Sequence, residues 1–213
     1  FVRTNPTENA RAAGQPLQGL TLDERIRFLR GKQAFLKEFG VSDGRGPIFN
    51  LPTGIELSCA VCHGQPVVGG GGSQVTRFGH VDPKGGFDPL ESLGGSLRQN
   101  EAVNPSCREE IPPEANFQAF RGALGTFGFG WVEAIDDAAI LDLADPDDAD
   151  GDGISGRAHL MKALEDPTGP DRVGRFGRKG QMPTLLSFSA DAALQEQGIT
   201  SSFFPVDNYP NVA

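Results

Sequence analysis

Ser58-Cys59-Ala60-Val61-Cys62-His63-Gly64 is the stretch around which the chain is organised. Two thiols separated by two residues, followed at once by an imidazole, form the pattern Cys-x-x-Cys-His, the attachment signal of c-type haem. The thiols add across the two vinyl groups of a porphyrin as thioethers, and the two-residue gap matches the spacing of those vinyls. His63 then falls beneath the iron as proximal ligand. The chain holds three Cys and three His in all, so gathering three of them into five residues is a specific signal. A thioredoxin-like redox pair shares the Cys spacing but opens a helix after a strand, and nothing apolar and strand-like precedes Cys59. A zinc site needs two more ligands at sensible spacing, whereas Cys107, His80 and His159 are scattered.

The bulk composition agrees with a haem-wrapped chain. Its 213 residues suit one domain, or one and a half, and are ample for a core. Gly and Pro number 29 and 16, about a fifth of the chain, which predicts long irregular connections without disorder. Fifteen Phe stand against one Trp and one Tyr. Phe packs a porphyrin face with no polar atom to satisfy, though it fills an ordinary core equally well. The net charge is −9, with no Lys or Arg run that would make a nucleic-acid footprint. An acidic surface suits docking to a basic redox partner protein, and serves solubility as well. No apolar run approaches the ~20 residues of a membrane span. Haem is attached to c-type proteins outside the cytoplasm, so the motif implies a periplasmic or extracellular protein. Phe1 then follows a removed signal peptide, or the sequence begins late. In that oxidising setting Cys107 is an odd thiol, buried and inert or paired outside the chain.

Around the motif, residues 1–20 are polar with Pro6, Gly14 and Pro16, and predict an extended arm lying on something or a disordered lead. Thr21-Leu22-Asp23-Glu24 is a capping box. Leu22, Ile26, Leu29, Leu36 and Phe39 continue it at helical spacing, Phe28 and Phe35 widen the face, and Gly40 ends it. In the loop 41–58, Phe49 and Leu51 are expected haem-edge contacts. Gly69 to Gly72 cannot form a regular element cheaply, and mark a linker or a close backbone approach. Residues 73–130 read as irregular, with Pro112-Pro113-Glu114 as a helix start. Residues 131–144 read as a helix with Trp131, Val132, Ile135, Ile140 and Leu143 on one side, ended by Pro146. A last helix spans Thr184 to Gln197, with Gly198 as terminator. The expected fold is mainly α: a single haem domain over 21–213 with long irregular loops.

Several segments recur in a known order: Phe49-Asn50 ahead of the motif; Phe87-x-x-Leu90-x-x-Leu93-Gly94-Gly95; Leu124-Gly125-Thr126-Phe127-Gly128-Phe129-Gly130-Trp131-Val132-Glu133-Ala134-Ile135; Asp148-x-Asp150-Gly151-Asp152-Gly153-Ile154-Ser155-Gly156-Arg157; Gly174-Arg175-Phe176-Gly177 through Pro183-Thr184-Leu185; and Gly198-Ile199-Thr200-Ser201. Together they resemble the di-haem c-type oxidoreductases often labelled "thiol oxidoreductase-like", relatives of bacterial di-haem cytochrome c peroxidases and MauG-type enzymes. The similarity covers nearly all of residues 22–205. It implies a cytochrome-c-like α fold and peroxide or redox chemistry. The family carries a second Cys-x-x-Cys-His downstream of the Gly-Ile-Thr segment. This sequence has one such motif, so it looks like the N-terminal haem half, to be completed by a C-terminal haem half or a partner chain.

The remaining candidates follow from ligand chemistry. Met or His opposite His63 closes the iron as a carrier; an open face admits peroxide. His80 and Met182 are the leading sixth-ligand candidates, ahead of Met161 and His159. Glu133, among aromatics, is a candidate general acid–base for peroxide protons, or a solvent-facing helix residue. Arg157, Arg172, Arg175 and Arg178 are candidates for the haem propionates, since guanidinium pairs bidentately with carboxylate. Asp148, Asp150, Asp152 and Gly153 match positions 1, 3, 5 and 6 of a calcium loop, with His159 where a bidentate Glu belongs. Asp145 or Asp147 could substitute; a solvated acidic turn is the alternative. The sequence therefore predicts one covalent haem c with calcium as a second candidate. It leaves open a peroxidase-like oxidoreductase or a non-catalytic electron-transfer subunit.

Overall fold

The computed structural model describes residues 13–50 and 57–207. Leu51, expected at the haem edge, and most of the arm over 1–20 lie outside these residues. The chain forms two compact units: residues 1–127, 194–200 and 206–213 make the first, and 128–193 with 201–205 the second.

In the first unit, α1 (Leu22–Leu36) starts where the capping box places it. The Thr21 side chain accepts from the Glu24 N–H, and the Glu24 carboxylate accepts from Thr21 N–H at 2.8 Å. The helix ends at Lys37, whose backbone is extended, before Gly40 is reached. Its half-buried residues are Phe28, Lys32 and Phe35, spaced for one face. Leu22, Ile26, Leu29 and Leu36 are exposed. The docked face is thus the Phe stripe, and Lys32 donates from it to the Gly14 carbonyl at 2.9 Å.

Strand β1 (Ile48–Phe49) pairs antiparallel with β4 (Glu101–Ala102). β2 (Gln74–Val81) lies between β3 (Phe87–Asp88) and β5 (Phe117–Gly122), with Gln74 opposite Gly122 and Gly79 opposite Phe117. Phe78 is fully buried, and Leu97 and Ile48 nearly so. A side chain at Gly79 would collide with the Phe87 ring, so glycine lets that ring cross the strand.

In the second unit, α3 (Phe129–Glu133) and α4 (Asp137–Leu141) replace the single helix expected over 131–144. Asp136 breaks it: its side chain accepts from the Ala138 N–H and caps a new helix. Trp131, Ile135 and Leu143 of the expected apolar side are exposed. β6 (Leu160–Met161) pairs with β7 (Arg172–Val173). Phe176 is buried between Phe129 and Phe188, at ring-centroid distances of 5.6 and 6.4 Å. α5 (Leu185–Gln197), whose residues from Leu194 on belong to the first unit, starts within a residue of its expected position, and Gly198 closes it at φ +63.

The mainly α expectation is overturned. Among the described residues helix accounts for 27% and strand for 17%, in five helices and three small antiparallel sheets, so the fold is α+β. The error lies in 73–130. That stretch holds the three-stranded sheet, in which β2 and β5 pair residues 48 (Gln74 and Gly122) down to 38 (Gly79 and Phe117) positions apart, and no helix begins at Pro112. Among the described residues no helix is long and apolar enough to cross a membrane.

Candidate functional site

Cys59 and Cys62 are the first and last residues of α2 (Cys59–Cys62), a single turn. At i and i+3 they lie on one side of the helix. Both thiols are free and partly buried. The Cys59 sulfur accepts from the Gln197 side-chain amide at 3.5 Å. Burial pushes the Cys59 thiol up, and pushes Cys62 up to about 11 with help from the neighbouring Glu196 carboxylate. Both are therefore protonated thiols at neutral pH, the form that adds as a whole S–H across a double bond. Glu196 is itself held by Asn50, whose amide donates to it at 3.1 Å and whose backbone N–H donates to its carbonyl at 2.7 Å.

His63 follows as the C-cap of α2, its N–H bonded to the Cys59 carbonyl. Its Nδ1 lies 2.7 Å from the Leu124 carbonyl oxygen. A carbonyl only accepts, so Nδ1 carries the proton and Nε2 keeps the lone pair a metal requires. The glycine run builds this arrangement. Gly69 N–H donates to the His63 carbonyl at 2.8 Å, while the Gly69 carbonyl accepts from Thr126 N–H at 2.7 Å and from its hydroxyl at 3.1 Å. Residues 69–72 thus form a strap between the motif and the segment that carries Leu124. At Gly70 a side chain would overlap the Gln65 carbonyl, which answers the choice between linker and close approach.

The donor set fits a c-type haem. Two unbridged thiols share one helical turn, the adjacent imidazole has a free Nε2, and Phe35 packs 6.1 Å from the His63 ring. Exposed Leu124 and Phe127 flank the same segment. Phe49 is buried with Leu57, two residues before Cys59, and together they form a small apolar cluster beside the motif.

The other expected residues are placed as follows. His80 is on β2 in the same unit as the motif, its Nδ1 2.8 Å from the Glu114 carbonyl, which by the same logic leaves Nε2 as a lone pair. Met182 and Met161 lie in the second unit, Met182 within a backbone bridge to Phe176, and His159 is exposed there. Glu133 accepts from Leu185 N–H at 2.7 Å, at the start of α5. Arg175 is almost fully buried and committed: Nε donates to the Val173 carbonyl, Nη1 to the carbonyls of Val132, Glu133 and Ile135, and Nη2 to Asp137. Arg172 shares Asp137 at 2.8 Å, and Arg157 donates to the Pro146 carbonyl. Arg178 is exposed. In the acidic loop, carboxylate oxygens of Asp145, Asp148 and Asp150 come within 4.8 Å of one another. Asp152 turns away to accept from Ile154 N–H. Asp145 and Asp148 also accept backbone N–H groups of that loop, so the cluster is equally a self-capped acidic turn.

Sequence reasoning did not find the roles of Leu124, Gln197, Glu196 and Asn50. A backbone carbonyl has no residue signature; Gln197 and Glu196 meet the thiols, and Asn50 meets Glu196, only through the pairing of distant segments.

Residues 111–211, a little under half of the chain, match a family model described as "Di-haem oxidoreductase, putative peroxidase". The match begins after the Cys59–His63 motif. No curated protein and no solved structure matches the chain.

Proposed function

We propose, on the premise that this is a di-haem oxidoreductase chain, that it carries one covalent haem c at Cys59 and Cys62 with His63 as proximal ligand, and takes part in peroxidase-like redox chemistry outside the cytoplasm. One observation carries the reading: two free thiols on a single turn, followed by an imidazole oriented through the Leu124 carbonyl. Bound there, haem supplies the electron-accepting iron. The chain's own part is to present protonated thiols, aim Nε2 of His63, and hold that ring through the glycine strap. Glu133, the candidate for peroxide protons, lies in the second unit, where one carboxylate oxygen is given to Leu185 N–H. The second haem of such chemistry belongs to a further segment or a partner chain, and electrons arrive from a redox partner protein. Calcium in the acidic loop remains an expectation of its spacing, outside this reading.

The deciding experiment is the intact mass of native material with a pyridine haemochrome assay. An increment of one haem retained under denaturing conditions is expected, and its absence would sink the proposal. EPR of the oxidised protein then separates the chemistries. A high-spin or mixed iron that reacts with peroxide supports the enzyme. A purely low-spin, unreactive iron favours an electron-transfer subunit, with His80, whose Nδ1 faces the Glu114 carbonyl, as the sixth-ligand candidate in the same unit.

A further inference from the structure

We propose that Arg45 binds a haem propionate, an inference that rests on the reading above of a haem at Cys59 and Cys62. The Arg45 Nε is buried and has no hydrogen-bond partner among the described residues. Guanidinium is charged at every accessible pH, and a buried charged donor without an acceptor is costly. The position is nevertheless well built. The guanidinium stacks over the Phe49 ring at 4.6 Å from its centroid, and the Arg45 backbone N–H is held by the Gly40 carbonyl at 3.2 Å. Gly46, the next residue, runs so close to Gly198 that a side chain there would overlap its carbonyl. The loop therefore fixes Arg45 with one edge donor unused.

Two acids of this unit are already engaged. Asp43, two residues earlier, holds Lys37 at 3.3 Å and accepts from Gly40 N–H at 3.1 Å. Glu196 is held by Asn50. The missing acceptor must be brought in, and a carboxylate is the group that best satisfies a guanidinium edge. Haem brings two carboxylates. It would be attached in this same unit, where Phe49 packs with Leu57, two residues before Cys59. Arg172 and Arg175, expected from sequence to take this role, are bound to Asp137 in the second unit. Stacking on Phe49 sets the plane of the guanidinium, so the carboxylate approaches along its edge, the geometry of bidentate pairing.

The test uses the haem-loaded full chain and its Arg45→Gln and Arg45→Lys variants. A guanidinium that neutralises a propionate favours the reduced, more electron-rich haem. In Arg45→Gln the reduction equilibrium constant is expected to fall about tenfold, ~59 mV for one electron. Arg45→Lys, which keeps the charge, should recover most of it. An unchanged potential in Arg45→Gln with haem attached overturns the proposal. If Arg45→Gln yields no holoprotein, a crystal structure of the wild-type holoprotein decides instead. Arg45 Nε within ~3.2 Å of a propionate oxygen is expected, and both propionates paired elsewhere overturns the proposal. A chain without covalent haem in the haemochrome assay overturns the proposed function itself, so the two failures are distinguishable.

Discussion

The imidazole Nδ1 of His63 donates to the carbonyl oxygen of Leu124 across 2.7 Å, joining residues 61 positions apart. That bond fixes the ring's tautomer and makes it a richer donor through Nε2. Gly69 holds the two segments together, at φ +94 and with the Phe127 ring against the place where a side chain would start. We expect Gly69→Val to strain the strap by about 1–2 kcal/mol from the left-handed backbone alone, with the Phe127 overlap adding to it. The bond to Leu124 should loosen, and the haem midpoint potential should rise as the ligand becomes a weaker donor. Redox titration of the variant checks this; an unchanged potential in a folded variant would show that the strap does not set the ligand.

Cys59 and Cys62 make separable contributions. Cys59→Ala leaves one thiol, and we expect a single thioether through Cys62. Haem would still be retained under denaturing conditions, with the pyridine haemochrome band displaced toward that of a haem keeping one vinyl. The double variant should retain none. Equal loss of haem in the single and double variants would contradict independent attachment.

Asp137 takes Arg172 at 2.8 Å and also pairs with the buried Arg175. Removing its charge leaves a guanidinium buried and unbalanced. Asp137→Asn is therefore expected to cost about 3–5 kcal/mol, lowering the urea midpoint of the second unit. Asp171→Asn, whose carboxylate pairs with Lys162 between two exposed side chains, should cost under about 1 kcal/mol. Similar losses from the two would show that burial is not what matters at Asp137.

Glu165 supplies a pH dependence. Burial raises its carboxyl, but hydrogen bonds from the Thr184 and Ser187 hydroxyls outweigh that and hold it below the usual carboxylate value. A folded pKa below the unfolded one gives stability that is present above the unfolded value near 4.5 and lost as the pH falls through the folded value. Urea unfolding between pH 6 and pH 3 should show a loss that Glu165→Gln largely lacks. Parallel profiles for the two proteins would remove Glu165 as the cause.

Local patterns were legible in proportion to how local their physics is. The Thr21–Glu24 capping box and the Gly198 terminator appear where the sequence places them, because each closes its hydrogen bonds within a few residues. α1 was found but its buried face was misjudged: Leu22 and Leu29 lie exposed while Phe28 and Phe35 dock, because several apolar stripes compete on one helix. The sheet of β2, β3 and β5 escaped notice, since a strand's stability comes from its partner and not from its own propensity.

By itself the sequence carried the expectation of the cofactor: two thiols and an imidazole at a spacing that suits haem c, and a run of glycines where backbone passes close. Only the tertiary structure decided how those groups are held. Leu124 reaches His63, Gln197 and Glu196 reach the thiols, and Asp137 rather than a propionate takes Arg175. Covalent reactivity resides in side-chain identity and local spacing. Tautomer, burial and pairing arise from groups far apart in the chain, whose meeting no local pattern encodes.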